Sequence, residues 1–363
     1  MIRIRLAATL VAVSLPITAV AKAPKKKVVT VAADGSGQFK TVQEAINSAP
    51  DGNLRINIKP GEYRALISVA TNGIELHGLG KTPQDTVLIY DNAALTPGPD
   101  GRQLGTGRSA TMMVTGDDFT AENLTIANDF EKRHTRTEMT SQAVALHITG
   151  DRELFRHVRF LGFQDTLYAD SKLCHTQPQP SGTASDRPAQ PSGDASATCY
   201  AARDYFADCY VEGHVDFIFG DARAVFDRCE IHVMPHSMDT ITAQSRLRPS
   251  EASGYVFRDC VVTADPANLA ATPDILLGRP WRDYSTAIFI NTDFRAPLDP
   301  AAWKEWGGRL KTSTYAEYNS HGQAGDVSKR VPASKQLTQA DLIQYATKTF
   351  LGPPNDWNPE KIR

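Results

Sequence analysis

The sequence predicts an all-β fold: a single-stranded right-handed parallel β-helix with short capping helices at its ends. Three observations carry this. Apolar residues occur in short bursts with period-two alternation, as in Arg55-Ile56-Asn57-Ile58, Ile74-Glu75-Leu76-His77, Val144-Ala145-Leu146-His147-Ile148 and Ala287-Ile288-Phe289-Ile290, the pattern of strands. An aromatic followed three and five positions later by small or apolar residues recurs at Phe155-Val158-Phe160, Phe206-Cys209-Val211, Phe226-Cys229-Ile231, Phe257-Cys260-Val262 and Phe289-Thr292-Phe294. Repetition at fixed phase is the mark of stacked, equivalent coils. These units are offset by about 20 to 32 residues, and the one offset of about 50 falls to about 25 when a loop insertion is set aside, which is solenoid spacing.

The elements follow in chain order. Residues 1–21 carry Arg3 and Arg5, an apolar run from Leu6 to Ala19 and the small residues Ala19-Val20-Ala21, and read as a secretory signal peptide cut after Ala21. A membrane anchor is disfavoured because the run is shorter than about 20 residues and contains Pro16. Lys25-Lys26-Lys27 is a solvated tail. Thr41-Val42-Gln43-Glu44 is a capping box that opens a helix with Val42, Ala45 and Ile46 on its apolar face. Residues 22–363 then form one β-helix domain, interrupted at about 172–200 by a loop rich in Pro, Ser, Gly and Ala, and Thr338 to Tyr345 reads as a second helix. Cys174 and Cys199 bracket the loop and are expected to close it as a disulfide in an exported protein. Equivalent positions on adjacent coils lie about 4.8 Å apart, inside the Cα window of a disulfide, so Cys209 and Cys229 are expected to bridge neighbouring rungs, leaving Cys260 buried and single.

Charge narrows the partners. Cleavage after Ala21 removes two arginines from the 39 basic residues and leaves 37 against 41 acidic ones, a balance of −4. No global positive field exists to attract a polyanion, so a nucleic-acid partner is disfavoured and a neutral or weakly charged substrate fits better. The chain shows no G-x-S-x-G, H-E-x-x-H or C-x-x-C, which removes the serine nucleophile elbow and the common zinc patterns. No metal or cofactor is expected.

What stands out instead are carboxylates inside apolar segments: Asp165 in Gly162-Phe163-Gln164-Asp165-Thr166-Leu167-Tyr168, and Asp216 in Gly213-His214-Val215-Asp216-Phe217-Ile218-Phe219-Gly220. A carboxylate there loses hydration and must be paired, hydrogen-bonded or functional. Gln142 precedes Gln164 by about one coil, and Asp216 follows Asp165 by one coil plus the insertion, so the four should gather on one face. Two carboxyl groups, two amides and a cation suit acyl transfer, with a nucleophile, an acid/base and oxyanion donors. Arg279, in Leu277-Gly278-Arg279-Pro280-Trp281, is the candidate cation that keeps one aspartate ionised, and Trp281 offers an apolar platform for a sugar ring.

At these residues the sequence resembles the pectin methylesterase (pectinesterase) family of carbohydrate esterases, from about Val31 to Trp357. The resemblance rests on VAADGSGQFKTVQEAI, QAVAL at Gln142, GFQDTLY at Gly162, VDFIFG at Val215, ITAQ at Ile241, LGRPW at Leu277, YAEY at Tyr315 and the closing FLG. It implies a parallel β-helix that removes methyl groups from the galacturonate esters of homogalacturonan, without a metal, giving pectate and methanol. It further implies Asp216 as the nucleophile, Asp165 as general acid and then base, Gln142 and Gln164 as oxyanion donors, and Arg279 as the residue orienting Asp216. Trp281, Phe219 and Tyr168, with Thr106 and Ala243, match the family's substrate groove. The Cys209 and Cys229 spacing is similar to a disulfide of some relatives. His214 departs from the motif's small or hydroxyl residue and is read as a rim residue rather than a base. The expected protein is thus a secreted monomer acting on methyl-esterified pectin. A lyase or glycosidase using the same carboxylates, a non-catalytic polysaccharide-binding β-helix, and an esterase or thioesterase diverged to another acyl group are the alternatives.

Overall fold

The structure, a computed structural model, describes residues 26–134, 141–176, 190–191, 197–269 and 274–362. The expected signal peptide and most of the insertion lie outside the described residues. The chain winds into a parallel β-helix whose strands pair in register from coil to coil, Arg203–Ala207 on Arg223–Asp227, then Gly254–Arg258, then Thr286–Ile290. One sheet stacks Ile67–Val69, Met112–Val114, Leu146–Ile148, Leu167–Ala169, Val215–Gly220, Thr240–Gln244 and Leu276–Gly278. A larger sheet of 18 strands takes two strands from most coils, such as Arg223–Asp227 and Glu230–Val233.

The recurrent aromatic pattern has a backbone cause. Between the two strands of each coil one residue is left-handed: Asn123, His157, Asp208, Arg228, Asp259, Asn291 and Asn319 all have φ of 50–54°. Five of them fall two residues after an aromatic of the repeat. The bend resets the alternation, so that Phe155, Val158 and Phe160 all point inward and are fully buried. The aromatics then stack face to face along the axis, with ring centroids 4.8, 4.6, 4.6 and 4.4 Å apart from Phe155 through Phe206, Phe226 and Phe257 to Phe289. This column is the core of the solenoid.

Helix Val42–Asn47 is capped by Thr41 and Glu44 as expected and buries Val42, Ala45 and Ile46 against the first coils. The C-terminal helical stretch is split into a 3₁₀ helix Gln339–Tyr345 and an α-helix Thr347–Leu351, because Ala346 is extended (φ −61°, ψ 137°). Leu342, Tyr345, Phe350, Leu351 and Trp357 cover an outward apolar stripe of Leu154, Tyr205, Val225, Val256 and Ile288, so this stretch shields the flank of the coils. Arg203, almost fully buried, fastens it by donating to the carbonyls of Leu351 and Gly352 and to Asn355.

Cys174 and Cys199 form the expected disulfide, with Cα atoms 5.6 Å apart. The Cys209–Cys229 bridge is not formed: both are free and buried, as is Cys260. The rungs do stack, since Tyr210 pairs with Glu230 and Glu230 with Val261, which aligns the three cysteines that precede them. In-register side chains project parallel to one another at the rung spacing of about 4.8 Å, whereas a disulfide needs Cβ atoms about 3.8 Å apart and turned toward each other. Each thiol instead donates to a backbone carbonyl of the coil before it, Cys209 to Phe155, Cys229 to Phe206 and Cys260 to Phe226. Among the described residues no helix is long and apolar enough to cross a membrane.

Candidate active site

The seven-stranded sheet presents the candidate residues on its outer face and at the turn leading into it. The pairings Leu167 with Leu146 and Leu167 with Ile218 put Asp165 and Asp216 at equivalent positions of consecutive coils. The Asp165 amide donates to the Val215 carbonyl at 3.1 Å, and the Ala143 amide to the Gln164 carbonyl at 3.2 Å, so Gln142 and Gln164 are neighbours offset by one residue. Both glutamines are half-buried. Close approach of the two coils depends on Gly213, where a Cβ would lie 2.6 Å from the Phe163 carbonyl oxygen. Asp165 and Asp216 both have left-handed backbones, φ 64° and 49°, a region that aspartate tolerates better than most residues and that recurs at functional sites.

Each aspartate is only 8% exposed. Arg279, at the end of strand Leu276–Gly278, grips Asp216 with its fork: Nε donates to Oδ1 at 2.9 Å and Nη2 to Oδ2 at 2.5 Å. The guanidinium is itself covered by the Trp306 ring, 4.2 Å from the centroid, and touches Met238 Sδ at 3.4 Å. The two carboxyl groups therefore differ. Burial, and then the charge of Asp216, push Asp165 well above the ordinary carboxylate range, with Arg279 offsetting only part. Burial raises Asp216 too, but the Arg279 hydrogen bonds and charge pull against it. Both therefore sit above the ordinary carboxylate range, Asp165 further than Asp216, so the proton is favoured on Asp165 and the arginine fork favours the ionised form of Asp216.

Beside the pair runs an apolar floor. Tyr168, Phe219 and Ala243 are register partners on successive coils, and Tyr168 stacks on Phe219 at 4.2 Å. Trp281 stands tilted against both, 6.4 Å from Tyr168 and 6.0 Å from Phe219. Thr106 begins a 3₁₀ turn, Thr106–Ser109, at the edge of this floor. The structure thus sets Asp165, Asp216 and Arg279 together, Gln142 and Gln164 on adjoining coils, and Tyr168, Phe219, Ala243 and Trp281 in one apolar cluster with the Thr106 turn against it.

His214 is the exception to its expected place: it is 2% exposed, not on the rim. Its Nδ1 accepts the Val215 amide at 2.8 Å, its Nε2 lies 3.2 Å from Glu131, and its ring stacks on His236. With both ring nitrogens engaged by its own coil and by Glu131, it is a packing residue behind the aspartates.

Two neighbours escaped the sequence reading. Trp306 comes from a loop with no repeat phase to betray it. His147 stacks on Tyr168 at 4.2 Å and was findable, because it precedes Tyr168 by 21 residues, about the spacing that links Gln142 to Gln164. Among the described residues no group of three or more His, Cys, Asp or Glu is arranged to hold a metal ion.

Comparison with known proteins places the chain. The family model named Pectinesterase matches residues 28–177 and 194–354. The chain is 33% identical over 339 residues to Pectinesterase 31 of Arabidopsis thaliana, covering 91% of this chain and 94% of that protein. It spans about half the length of other Arabidopsis relatives, such as probable pectinesterase/pectinesterase inhibitor 23, at 33% identity and 54% of that protein. Among solved structures, pectin methylesterase from carrot superposes with a TM-score of 0.72 at 29% identity, covering 89% of this chain and 92% of that one. A pectin methylesterase solved in complex with a hexasaccharide gives 0.71 at 27% identity, covering 91% and 97%.

Proposed function

The chain belongs to the pectinesterase family, and from that premise we propose that it hydrolyses the C6 methyl esters of homogalacturonan by an aspartyl covalent mechanism. The observation that carries the reading is the asymmetric pair: two buried carboxyl groups on adjacent coils, one gripped by an arginine fork and the other pushed further toward its neutral form.

The roles follow from that asymmetry. Ionised Asp216 attacks the ester carbonyl carbon, and the charge that develops on the carbonyl oxygen is met by the Gln142 and Gln164 amides. As the tetrahedral intermediate collapses, Asp165 gives its proton to the departing methoxy oxygen, and methanol leaves an anhydride between Asp216 and the sugar. Asp165, now a carboxylate, takes a proton from a water that attacks the anhydride carbonyl. The sugar carboxylic acid leaves, Asp216 is restored, and the net reaction is ester plus water giving acid plus methanol. The aromatic floor of Tyr168, Phe219 and Trp281 supports sugar rings on their apolar faces, with Thr106 and Ala243 at its edges. The protein works outside the cytoplasm, a reading supported by the leader-like residues 1–21 and by the Cys174–Cys199 disulfide.

The test is methanol release from highly methylated pectin by the purified protein beside its Asp216→Ala variant, with chelator in both. Wild-type activity with a loss of at least about 10³-fold in the variant is expected. A folded variant with near-normal release, or depolymerisation without methanol, overturns the reading.

A further inference from the structure

The aromatic floor does not stop at Tyr168. His147 is the register partner of Tyr168 on the preceding coil, Met113 is its partner one coil further, and the His147 and Tyr168 rings are within 7° of parallel. His147 is 12% exposed, and its Nδ1 lies 3.1 Å from the Gly107 carbonyl oxygen. A carbonyl has no hydrogen to give, so Nδ1 carries the proton and donates it. The turn Thr106–Ser109 thereby rests on the floor at a fixed height. A Cβ at Gly107 would lie 3.2 Å from His147 Cε1 and 3.8 Å from Tyr168 Cε1, so the backbone itself sits against both rings.

The other side of the same turn is tied to the oxyanion segment. Ser109 Oγ donates to the Thr106 carbonyl at 2.7 Å and accepts the Val144 amide at 3.2 Å, two residues beyond Gln142. The buried Asn128 amide donates to the Val144 carbonyl at 3.0 Å. One edge of the turn is held by the frame that places Gln142, and the other by His147 alone among the side chains of the floor.

We propose that His147 is a positioning residue for substrate binding: its Nδ1–H bond to the Gly107 carbonyl holds the Thr106 turn against the floor and so forms the subsite for the galacturonate ring next to Tyr168. This rests on the functional reading above and extends it to the sugar neighbouring the one that reacts. The ring supplies the platform and the bond supplies the wall.

Variants separate the two. His147→Asn places an amide N–H near the Nδ1 position without the ring, His147→Phe keeps a ring without the donor, and His147→Ala removes both. With highly methylated pectin, His147→Phe and His147→Ala are expected to raise KM about 5-fold or more, the worth of a lost hydrogen bond, while kcat falls less than KM rises. His147→Asn is expected to recover most of that KM. Binding of a methyl-esterified galacturonate hexamer in calorimetry should weaken in the same order, and should do so in the Asp216→Ala background as well. Wild-type KM in His147→Phe, or a fall in kcat at constant KM, overturns the inference while leaving the esterase reading intact. Absence of methanol release and of hexamer binding in the wild type overturns the esterase reading and this inference together. Thermal melting of each variant identifies one that fails to fold, and the Asn and Phe pair decides the matter if His147→Ala is that one.

Discussion

Replacing Arg279 by glutamine tests the asymmetry on which the mechanism depends. In the wild type two charge-assisted bonds reach Asp216, from Nε at 2.9 Å and Nη2 at 2.5 Å, at a carboxylate 8% exposed. Bonds of this kind are worth about 1.5–3 kcal/mol each, so about 3–6 kcal/mol favouring the ionised form is removed, and one neutral amide bond restores about 1 kcal/mol. The remaining 2–5 kcal/mol corresponds to a loss of about 30- to 5,000-fold in kcat/KM near neutral pH. The sign of the pH effect is fixed by what is left. Burial alone favours the neutral carboxyl, so Asp216 takes up a proton and ionises at higher pH than before. The acid limb of the kcat/KM profile, followed as methanol release, therefore moves to higher pH, and part of the lost activity returns as pH rises. Arg279→Lys keeps a charge without the fork and should fall between the two. A loss under about fivefold, or an acid limb that does not move, refutes the reasoning.

Two further outcomes concern the scaffold. Asp204 is fully buried, lies in register with the equally buried Glu153, and among the described residues has no hydrogen-bond partner for either carboxyl oxygen; burial, and then Asp151, Asp170 and Asp221, push it well above the carboxylate range. Its folded-state pKa exceeds its unfolded one, so its contribution to stability is fully present in acid and is lost as pH rises through the folded value; Asp204→Asn should raise the urea midpoint at pH 8 and leave it nearly unchanged at about pH 3, and an equal effect at both would refute this. Phe226→Ala removes the middle ring of the buried column, stacked at 4.6 Å on both sides, and should cost about 3–5 kcal/mol in denaturant unfolding, against which a cost under about 1.5 kcal/mol would count.

Most of the fold was legible because its parts repeat. The aromatic phase at Phe206, Phe226, Phe257 and Phe289 reports a backbone bend two residues later, and the sequence shows the side-chain consequence without showing the bend. The aspartates were legible for a different reason: a carboxylate amid Val, Phe and Ile is costly enough to need an explanation, and the coil spacing gathered them. What escaped depends on orientation rather than spacing. Cys209 and Cys229 have the right separation and the wrong direction, since register makes their side chains parallel. His214 looks like a rim residue until Glu131, 83 residues earlier, is seen to close over it. Trp306 lies outside the repeat altogether, so nothing in its neighbourhood announces that it covers Arg279.

The pinned insertion has a consequence for how such a molecule changes over generations. Asp165 and Asp216 are 51 residues apart in sequence and one rung apart in space, and part of the chain between them begins and ends at a single covalent point where the Cys174 and Cys199 Cα atoms are 5.6 Å apart. Whatever length is spliced between those two cysteines re-enters the coil at the same place, so the register that aligns the carboxyl pair is indifferent to it. The covalent tie fixes where the chain leaves the coil and where it re-enters, and the reacting groups on either side keep an unaltered address.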